Sequence, residues 1–174
     1  MNVKTRLAPS PTGYLHIGSL RTMLYNEYFT KQNNGTMVLR VEDTDRTRYV
    51  EGAVEALIRT LKRVGIVYQE GPVIKERGIV QIGDHGPYIQ SERLEIYQAY
   101  AKQLVDSGHA YYCFCTKERL EHVREQNQAA KLPTKYDRFC LKFSQAEVEA
   151  KIKNGEPHVI RMQIPEGVTT FSDE

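Results

Sequence analysis

The sequence predicts an α/β protein in which a doubly wound parallel sheet carries a small α+β insertion. Its amino-terminal part alternates strand and helix twice, with strands expected at residues 3–7 and 36–41 and helices at residues 19–32 and 50–64. Strands separated by helices pair in parallel through right-handed crossovers. The ligands of such sheets lie beyond the carboxyl ends of the strands, where residues 8–18 are expected to lie.

The two helices are predicted from the spacing of their apolar residues. In the first, Leu20, Met23, Leu24 and Tyr28 recur at helical intervals, and residues 33–35 (Asn-Asn-Gly) supply a left-handed stop. The second helix ends at Gly65, and its apolar face consists of Val50, Ala53, Val54, Leu57, Ile58 and Leu61.

The following segment contains few periodic patterns. Residues 70–88 contain four glycines and two prolines, so we expect a long loop there. A helix is predicted at residues 91–107, an extended segment at 110–114 and a charged helix at 116–130. These elements lead into a second part whose units are short and local.

The carboxyl-terminal elements are a helix, a strand and a further extended segment. Ser144 and Glu147 stand at capping-box spacing, which predicts a helix at residues 144–153. Residues 159–164 alternate like a strand, and residues 168–171 begin an extended segment that stops without a partner. We therefore expect a truncated chain with two parts, a nucleotide-binding half at residues 1–110 and the insertion at residues 111–174.

Composition excludes several classes of protein. The chain has 174 residues, 40% of them apolar, and a formal charge of +2 that is spread evenly, so any contact with nucleic acid requires a local patch. No apolar run is long enough to cross a bilayer, and the amino terminus is polar. Three cysteines favour free thiols or a metal over a secretory disulfide framework. These features predict a cytoplasmic protein.

The sharpest motif runs through residues 6–19 (RLAPSPTGYLHIGS), between the first strand and the first helix. Gly18 permits close approach, the helix expected to open at Ser19 offers unpaired N–H groups, and His16 adds a donor for a transferring phosphate. These residue types predict a phosphate site. A His-x-Gly before a helix is nevertheless an incidental pattern when it stands alone.

The full motif resembles the signature of the class I aminoacyl-tRNA synthetases and, more specifically, that of the glutamyl-tRNA synthetase family. The resemblance continues through almost the whole chain, at residues 21–22, 39–46, 90–93, 112–116, 136–137 and 157–161. It implies a Rossmann-like nucleotide-binding fold and the ATP-dependent ligation of glutamate to tRNA(Glu). In many class I enzymes a second histidine stands where this chain has Ser19.

The resemblance also implies roles for individual residues. Arg6 would face the side-chain carboxylate of glutamate, and Ala8, Ser10 and Glu42 would hold its main-chain groups, with Glu42 opposite the ammonium. Each of these also suits an ordinary strand end or turn. The ATP site, accompanied by Mg²⁺, would be formed by Pro9, His16, Gly18 and Ser19, of which His16 and Gly18 are the candidate catalytic residues.

Two further groups of residues have open interpretations. The charged loop formed by Asp43, Asp45, Arg46 and Arg48 either approaches the tRNA acceptor end, as the resemblance suggests, or is solvated surface charge. Residues 73–85 extend a link that is shorter in the family, and we assign them no chemistry.

The cysteines form the second constellation, in the segment that resembles the family's acceptor-binding insertion. Cys113, Cys115 and Cys140 either hold a structural Zn²⁺ or are idle thiols. Some members of the family bind zinc there. Lys142 stands where those relatives can have a histidine, so Tyr136 is the substitute fourth ligand. The other candidates, His122 and His158, require the chain to fold back.

The expected function is therefore glutamate–tRNA ligation, by a protein expected to be monomeric, with L-glutamate, ATP and tRNA(Glu) as partners. The 174 residues contain no Lys-Met-Ser-Lys-Ser loop, which the family uses to hold the triphosphate, so the chain is expected to be inactive alone. The rivals are a paralogue that glutamylates a modified tRNA base and a non-catalytic RNA-binding module. A nucleotidyltransferase sharing the phosphate loop explains nothing after residue 20.

Overall fold

The computed structural model describes residues 3–172, which divide into two compact units. The first unit extends to Ile96 and the second begins at Tyr97. The division falls inside a helix, α3 (Leu94–Asp106), that follows a 3₁₀ turn at Gln90–Arg93. No helix in the described residues is long and apolar enough to cross a membrane.

The first unit begins with β1 (Lys4–Leu7), α1 (Ile17–Gln32), β2 (Thr36–Leu39) and α2 (Ala53–Arg63). β1 and β2 pair in parallel, with Arg6 opposite Val38. Single parallel bridges continue the pairing from Val38 to Glu70 and from Val41 to Ile89. The predicted parallel pairing is confirmed, and the loop after β1 lies at the carboxyl end of the strands.

The core of this unit lies between the strands and the two helices. Leu39 and Leu61 are fully buried. The apolar spacing that predicts α2 accounts for its buried face, because residues three and four apart share one side of a helix. The buried cluster consists of Leu7, Met23, Met37, Leu39, Val41, Val54, Leu57, Ile58, Leu61 and Ile66.

The prediction of a long loop at residues 70–88 is wrong. This segment contains an antiparallel hairpin of β3 (Gly71–Lys75) and β4 (Gly78–Ile82), joined by Glu76 and Arg77. Apolar residues pair across the two strands, Val73 with Val80 and Ile74 with Ile79. Cross-strand pairs of this kind stabilise a hairpin despite its flanking glycines.

A buried carboxylate anchors the base of the hairpin. Glu70, 8% exposed, accepts hydrogen bonds from Lys4 Nζ at 2.8 Å and Tyr88 Oη at 2.6 Å, and His85 Nδ1 lies 3.0 Å away. The hydrogen bonds from Lys4 and Tyr88 lower the pKa of Glu70 to about 2. Gly83 closes the base with φ of +111°, and a Cβ there would lie 2.5 Å from Tyr88 Oη.

The second unit pairs β5 (Ala110–Cys113) with β6 (Val159–Met162) in an antiparallel ladder. Between these strands lie α4 (Lys117–Ala129), a 3₁₀ turn at Phe139–Lys142 and α5 (Gln145–Lys153). The capping box at the start of α5 is confirmed: the Ser144 side chain accepts from the Glu147 N–H, and the Ser144 N–H donates to Glu147 Oε2 at 2.7 Å. Within residues 3–172 no strand is found at 168–171, where an extended segment is predicted.

Candidate functional site

The loop after β1 is tied to its neighbours by backbone hydrogen bonds. The Arg40 N–H donates to Leu7 O and the Glu42 N–H donates to Pro9 O, both at 2.9 Å. The Val50 N–H donates to Pro11 O at 3.0 Å, which links the loop to the segment before α2. These bonds and the two prolines fix the loop's path, because proline restricts the backbone.

The loop encloses a cavity of about 390 Å³ beside the start of α1. The far wall is formed by Ala53 and Leu57 of α2. Four residues expected at the site share this cavity, namely Pro9, Ser10, His16 and Ser19. Gly18, Ala8 and Glu42 are not among its lining residues, and Arg6 belongs to a different cavity.

His16 caps the first helix, a role that the sequence motif does not indicate by itself. α1 begins at Ile17, two residues before the predicted start, and the Ser19 N–H donates to His16 Nδ1 at 3.4 Å. Ser19 Oγ lies 3.1 Å from His16 Nε2. Ser19 therefore holds both ring nitrogens, and the exposed ring is oriented over the positive end of the helix.

Gly18 makes room for the His16 ring. A Cβ at Gly18 would lie 3.0 Å from His16 Cε1 and 3.1 Å from Nδ1. The sequence predicts a close approach to Gly18, and in the structure the group that approaches it is the His16 ring. Alanine at position 18 would push the ring out of place.

Arg6 lines a second, smaller cavity of about 230 Å³, whose lining also includes Lys4 of β1 and Val38 of β2. Its Cα partner is Val38, and the exposed Arg6 side chain lies on the same face as Lys4, since alternate residues of a strand share a face. Cationic residues dominate the lining, which consists of Lys4, Arg6, Val38, Arg40, Glu70, His85, Tyr88 and Arg93. The cavity therefore favours a carboxylate or another small anion.

Glu42 is half-buried just beyond β2 and pairs with Arg40. Arg40 Nη2 donates to Glu42 Oε1 at 3.0 Å, and the two side chains are 20% and 29% exposed. Ala8 is also half-buried, between β1 and the loop. The residues expected to bind one amino acid thus lie within β1 or just beyond the ends of β1 and β2.

The charged loop after Glu42 is divided between interior and surface. Asp43 is buried, and its carboxylate accepts from the Ser91 N–H at 2.8 Å and from Ser91 Oγ at 2.6 Å. The interpretation of this loop as solvated surface charge is therefore wrong for Asp43. Asp45 pairs with Arg48 at the surface, where hydrogen bonds from Thr47 and Arg48 lower the pKa of Asp45.

In the second unit the three cysteines lie close together. Their Sγ atoms lie within 4.8 Å of one another, and the Cys115 and Cys140 sulfurs are 3.5 Å apart. Tyr136 Oη lies 3.3 Å from the sulfurs of Cys113 and Cys115. Three sulfurs and one oxygen at these separations fit a tetrahedral zinc site.

The two histidines considered as fourth ligands make other contacts. His122 Nε2 lies 2.9 Å from Gln126 on α4. His158 Nδ1 lies 2.9 Å from Glu156 O, and the ring packs edge-on against Tyr112. Neither histidine belongs to the sulfur cluster found within residues 3–172.

Burial and hydrogen bonds shift the pKa values of the cluster's members in different directions. Burial opposes ionisation of Cys113, but its hydrogen bonds with Tyr136 and Arg161 prevail and lower its pKa to about 7. Burial raises the pKa values of Cys115 and Tyr136. Arg161 also stacks on the Tyr136 ring, with its guanidinium carbon 4.3 Å from the ring centre.

Comparison with known protein families assigns the chain to one family. A family model described as the catalytic domain of the class I tRNA synthetases (E and Q) matches residues 2–174. The chain belongs to the class I tRNA synthetases of the E and Q type. The matched residues include the loop after β1, the parallel strands β1 and β2, and the acidic segment after β2.

The curated relatives of this class I synthetase include glutamate–tRNA ligases. The chain is 56% identical to the glutamate–tRNA ligase of Clostridioides difficile over 175 residues. It is 51% identical to the glutamate–tRNA ligase of Finegoldia magna. The matches cover 99% and 98% of this chain but 36% of each relative. The chain thus spans about a third of the length of these relatives.

Solved structures show the same synthetase fold. A glutamate tRNA ligase from Elizabethkingia meningosepticum, crystallised with its amino acid, superposes with a TM-score of 0.82 at 37% identity. The glutamate-tRNA synthetase of Elizabethkingia anophelis superposes with a TM-score of 0.83 at 36% identity. Each match covers 95% of this chain and about a third of the solved chain.

Proposed function

We propose that this chain forms the amino-terminal part of a glutamate–tRNA ligase. The enzyme joins glutamate to ATP as glutamyl-adenylate and passes the glutamyl group to tRNA(Glu) in the cytoplasm. The observation that carries the proposal is the cavity of about 390 Å³ in which Pro9, Ser10, His16 and Ser19 meet at the amino terminus of α1.

ATP fits this cavity because a helix amino terminus attracts phosphate. The His16 ring, oriented by Ser19, stabilises negative charge as the glutamate carboxylate attacks the α-phosphorus and pyrophosphate leaves. Mg²⁺ bound with the nucleotide would neutralise further phosphate charge. Catalysis then consists of positioning and charge stabilisation, without a covalent enzyme intermediate.

Glutamate is placed across the two strand ends. Arg6 provides a guanidinium for its side-chain carboxylate in the cationic cavity. Glu42 faces the ammonium, and Ala8 and Ser10 contact the remaining main-chain groups. In this arrangement the second unit approaches the acceptor end of tRNA(Glu).

A structural Zn²⁺ is the second part of the proposal. Cys113, Cys115, Cys140 and Tyr136 would hold it, since all four ligand atoms already converge. When bound, the metal would cross-link β5 to the segment before α5. Such a cross-link suits a unit whose helices bury few residues.

Calorimetric titration with a non-hydrolysable glutamyl-adenylate analogue tests the proposal, with the glutaminyl analogue as comparison. We expect the chain to prefer the glutamyl form, because Arg6 recognises a carboxylate and not an amide. Arg6→Ala should abolish that preference, whereas Arg59→Ala, an exposed arginine on α2, should not change it. A folded chain that binds neither analogue contradicts the proposal and favours a non-catalytic module.

A further inference from the structure

We infer that Arg40 is a positioning residue that orients the Glu42 carboxylate for the ammonium group of the bound amino acid. The inference rests on the proposed function, in which Glu42 receives that ammonium. It assigns a role to Arg40, which contacts Glu42 and lines the same cavity as Arg6.

The backbone sets the two side chains side by side. Arg40 and Glu42 follow β2 directly, two residues apart, and residues at this spacing on extended chain project to the same face. Each is anchored to the motif loop, Arg40 through Leu7 O and Glu42 through Pro9 O. A movement of the loop would therefore move both together.

The contact between them leaves half of the carboxylate available. Arg40 Nη2 donates to Glu42 Oε1 at 3.0 Å, and within residues 3–172 this is the hydrogen bond found for the Glu42 side chain. Oε2 remains as an acceptor for a ligand. Because both side chains are largely shielded, at 20% and 29% exposed, the pair is less screened than one at the open surface.

Within residues 3–172, the hydrogen bond found for the Arg40 side chain is the one to Glu42. Its Nε is buried, and no partner for it is found among the described residues. The same side chain lines the cavity of about 230 Å³ that contains Arg6. Glu42 is thus the group that fixes the guanidinium, and the planar, rigid guanidinium in turn fixes the carboxylate.

The test uses two ligands that differ by the ammonium group alone, the glutamyl-adenylate analogue and its desamino counterpart. The ratio of their dissociation constants measures what the ammonium contributes. Arg40→Met is expected to reduce this ratio roughly tenfold, the size of one lost charge-assisted hydrogen bond. The affinity for the desamino ligand should fall less than that for the glutamyl ligand, because the desamino ligand lacks the ammonium that Glu42 receives.

Two matched variants separate positioning from general damage. Arg40→Lys keeps a cation that reaches Glu42 and should restore part of the ratio, whereas Arg59→Met removes an exposed arginine and should leave it intact. Far-ultraviolet circular dichroism of each variant checks the fold.

Three results would overturn the inference. Equal weakening of both ligands by Arg40→Met would show a purely structural role, and unchanged affinities for both ligands would show no role. Both results leave the proposed function standing if the unmodified chain still prefers the glutamyl ligand. An unmodified chain that does not distinguish the two ligands overturns this inference and the proposed role of Glu42 together.

Discussion

His16 combines two tasks in one ring, since it caps α1 and points into the cavity proposed for ATP. The cap comes from Nδ1, which accepts the Ser19 N–H, while the exposed ring remains available to a ligand. Because the two tasks use different parts of the side chain, different substitutions at position 16 can separate the stability of the fold from the binding of ATP.

His16→Ala is expected to lower the free energy of unfolding by about 1 kcal/mol, because the helix loses its capping acceptor. His16→Asn keeps a capping acceptor and should retain most of that stability. Both variants should weaken binding of a non-hydrolysable ATP analogue. Urea unfolding and calorimetric titration measure the two effects, and an asparagine variant that binds the analogue normally would contradict the proposed role of the ring.

The elements of the fold show which sequence patterns predict structure and which do not. α2 was predictable because its apolar residues recur along one face, and β1 and β2 because short segments bounded by turn-forming residues alternate with helices. The hairpin at Gly71–Ile82 was not predictable, since its two glycines and one proline resemble a loop and its stability comes from pairing across the strands. Local composition does not report such pairing.

The motif predicted that His16 and Ser19 lie near one another at the start of α1, but it did not predict their contacts. The motif names His16, Gly18 and Ser19, yet the packing of one ring against the other two residues depends on where the helix begins. Asp43 was missed as a buried anchor because its partner, Ser91, is distant in sequence. Charge patterns alone do not distinguish a buried carboxylate from a solvated one.

The anchor of the hairpin predicts a pH dependence. The pKa of Glu70 is lowered from 4.5 to about 2, so its carboxylate stabilises the fold above pH 4.5 and loses this contribution as the pH falls toward 2. The contribution is on the order of 2 kcal/mol. Glu70→Gln should therefore be destabilised at pH 6, with a smaller deficit at pH 3.

Chemical unfolding at the two pH values measures this difference. Glu76→Gln, at the exposed turn of the same hairpin, is the matched control and should follow the unmodified chain. An equal deficit for Glu70→Gln at both pH values would mean that the ionised carboxylate is not the source of the stability.

The cysteine cluster of the second unit predicts one bound Zn²⁺. Tyr136→Phe should reduce zinc affinity by at least 10-fold, roughly the effect of removing even an indirect ligand contact. Cys140→Ser should reduce it further, and His122→Ala should have no effect because His122 lies on α4, away from the sulfurs. Competition with a chromophoric chelator gives the affinities, and normal zinc binding by Tyr136→Phe would exclude the phenol as the fourth ligand.

At the scale of the whole molecule, we expect a polypeptide limited to these 174 residues to bind substrates without converting them. It spans about a third of the length of its curated relatives, and its 174 residues contain no Lys-Met-Ser-Lys-Ser loop. Positioning of reactants supplies about 7–11 kcal/mol of catalysis, so an incomplete set of phosphate contacts should abolish turnover. Glutamate-dependent exchange of pyrophosphate into ATP should stay at background, with the full-length Clostridioides difficile ligase as the positive control.

The crowded base of the hairpin restricts how this part of the chain can vary during evolution. At the turn, Glu76 and Arg77 are exposed, so most substitutions there cost little. At Gly83 any side chain would meet Tyr88 Oη and the Glu70 side chain, and φ of +111° is already unfavourable for other residues. Selection from a library randomised over residues 76–83 should therefore return diverse turns and an invariant glycine at position 83.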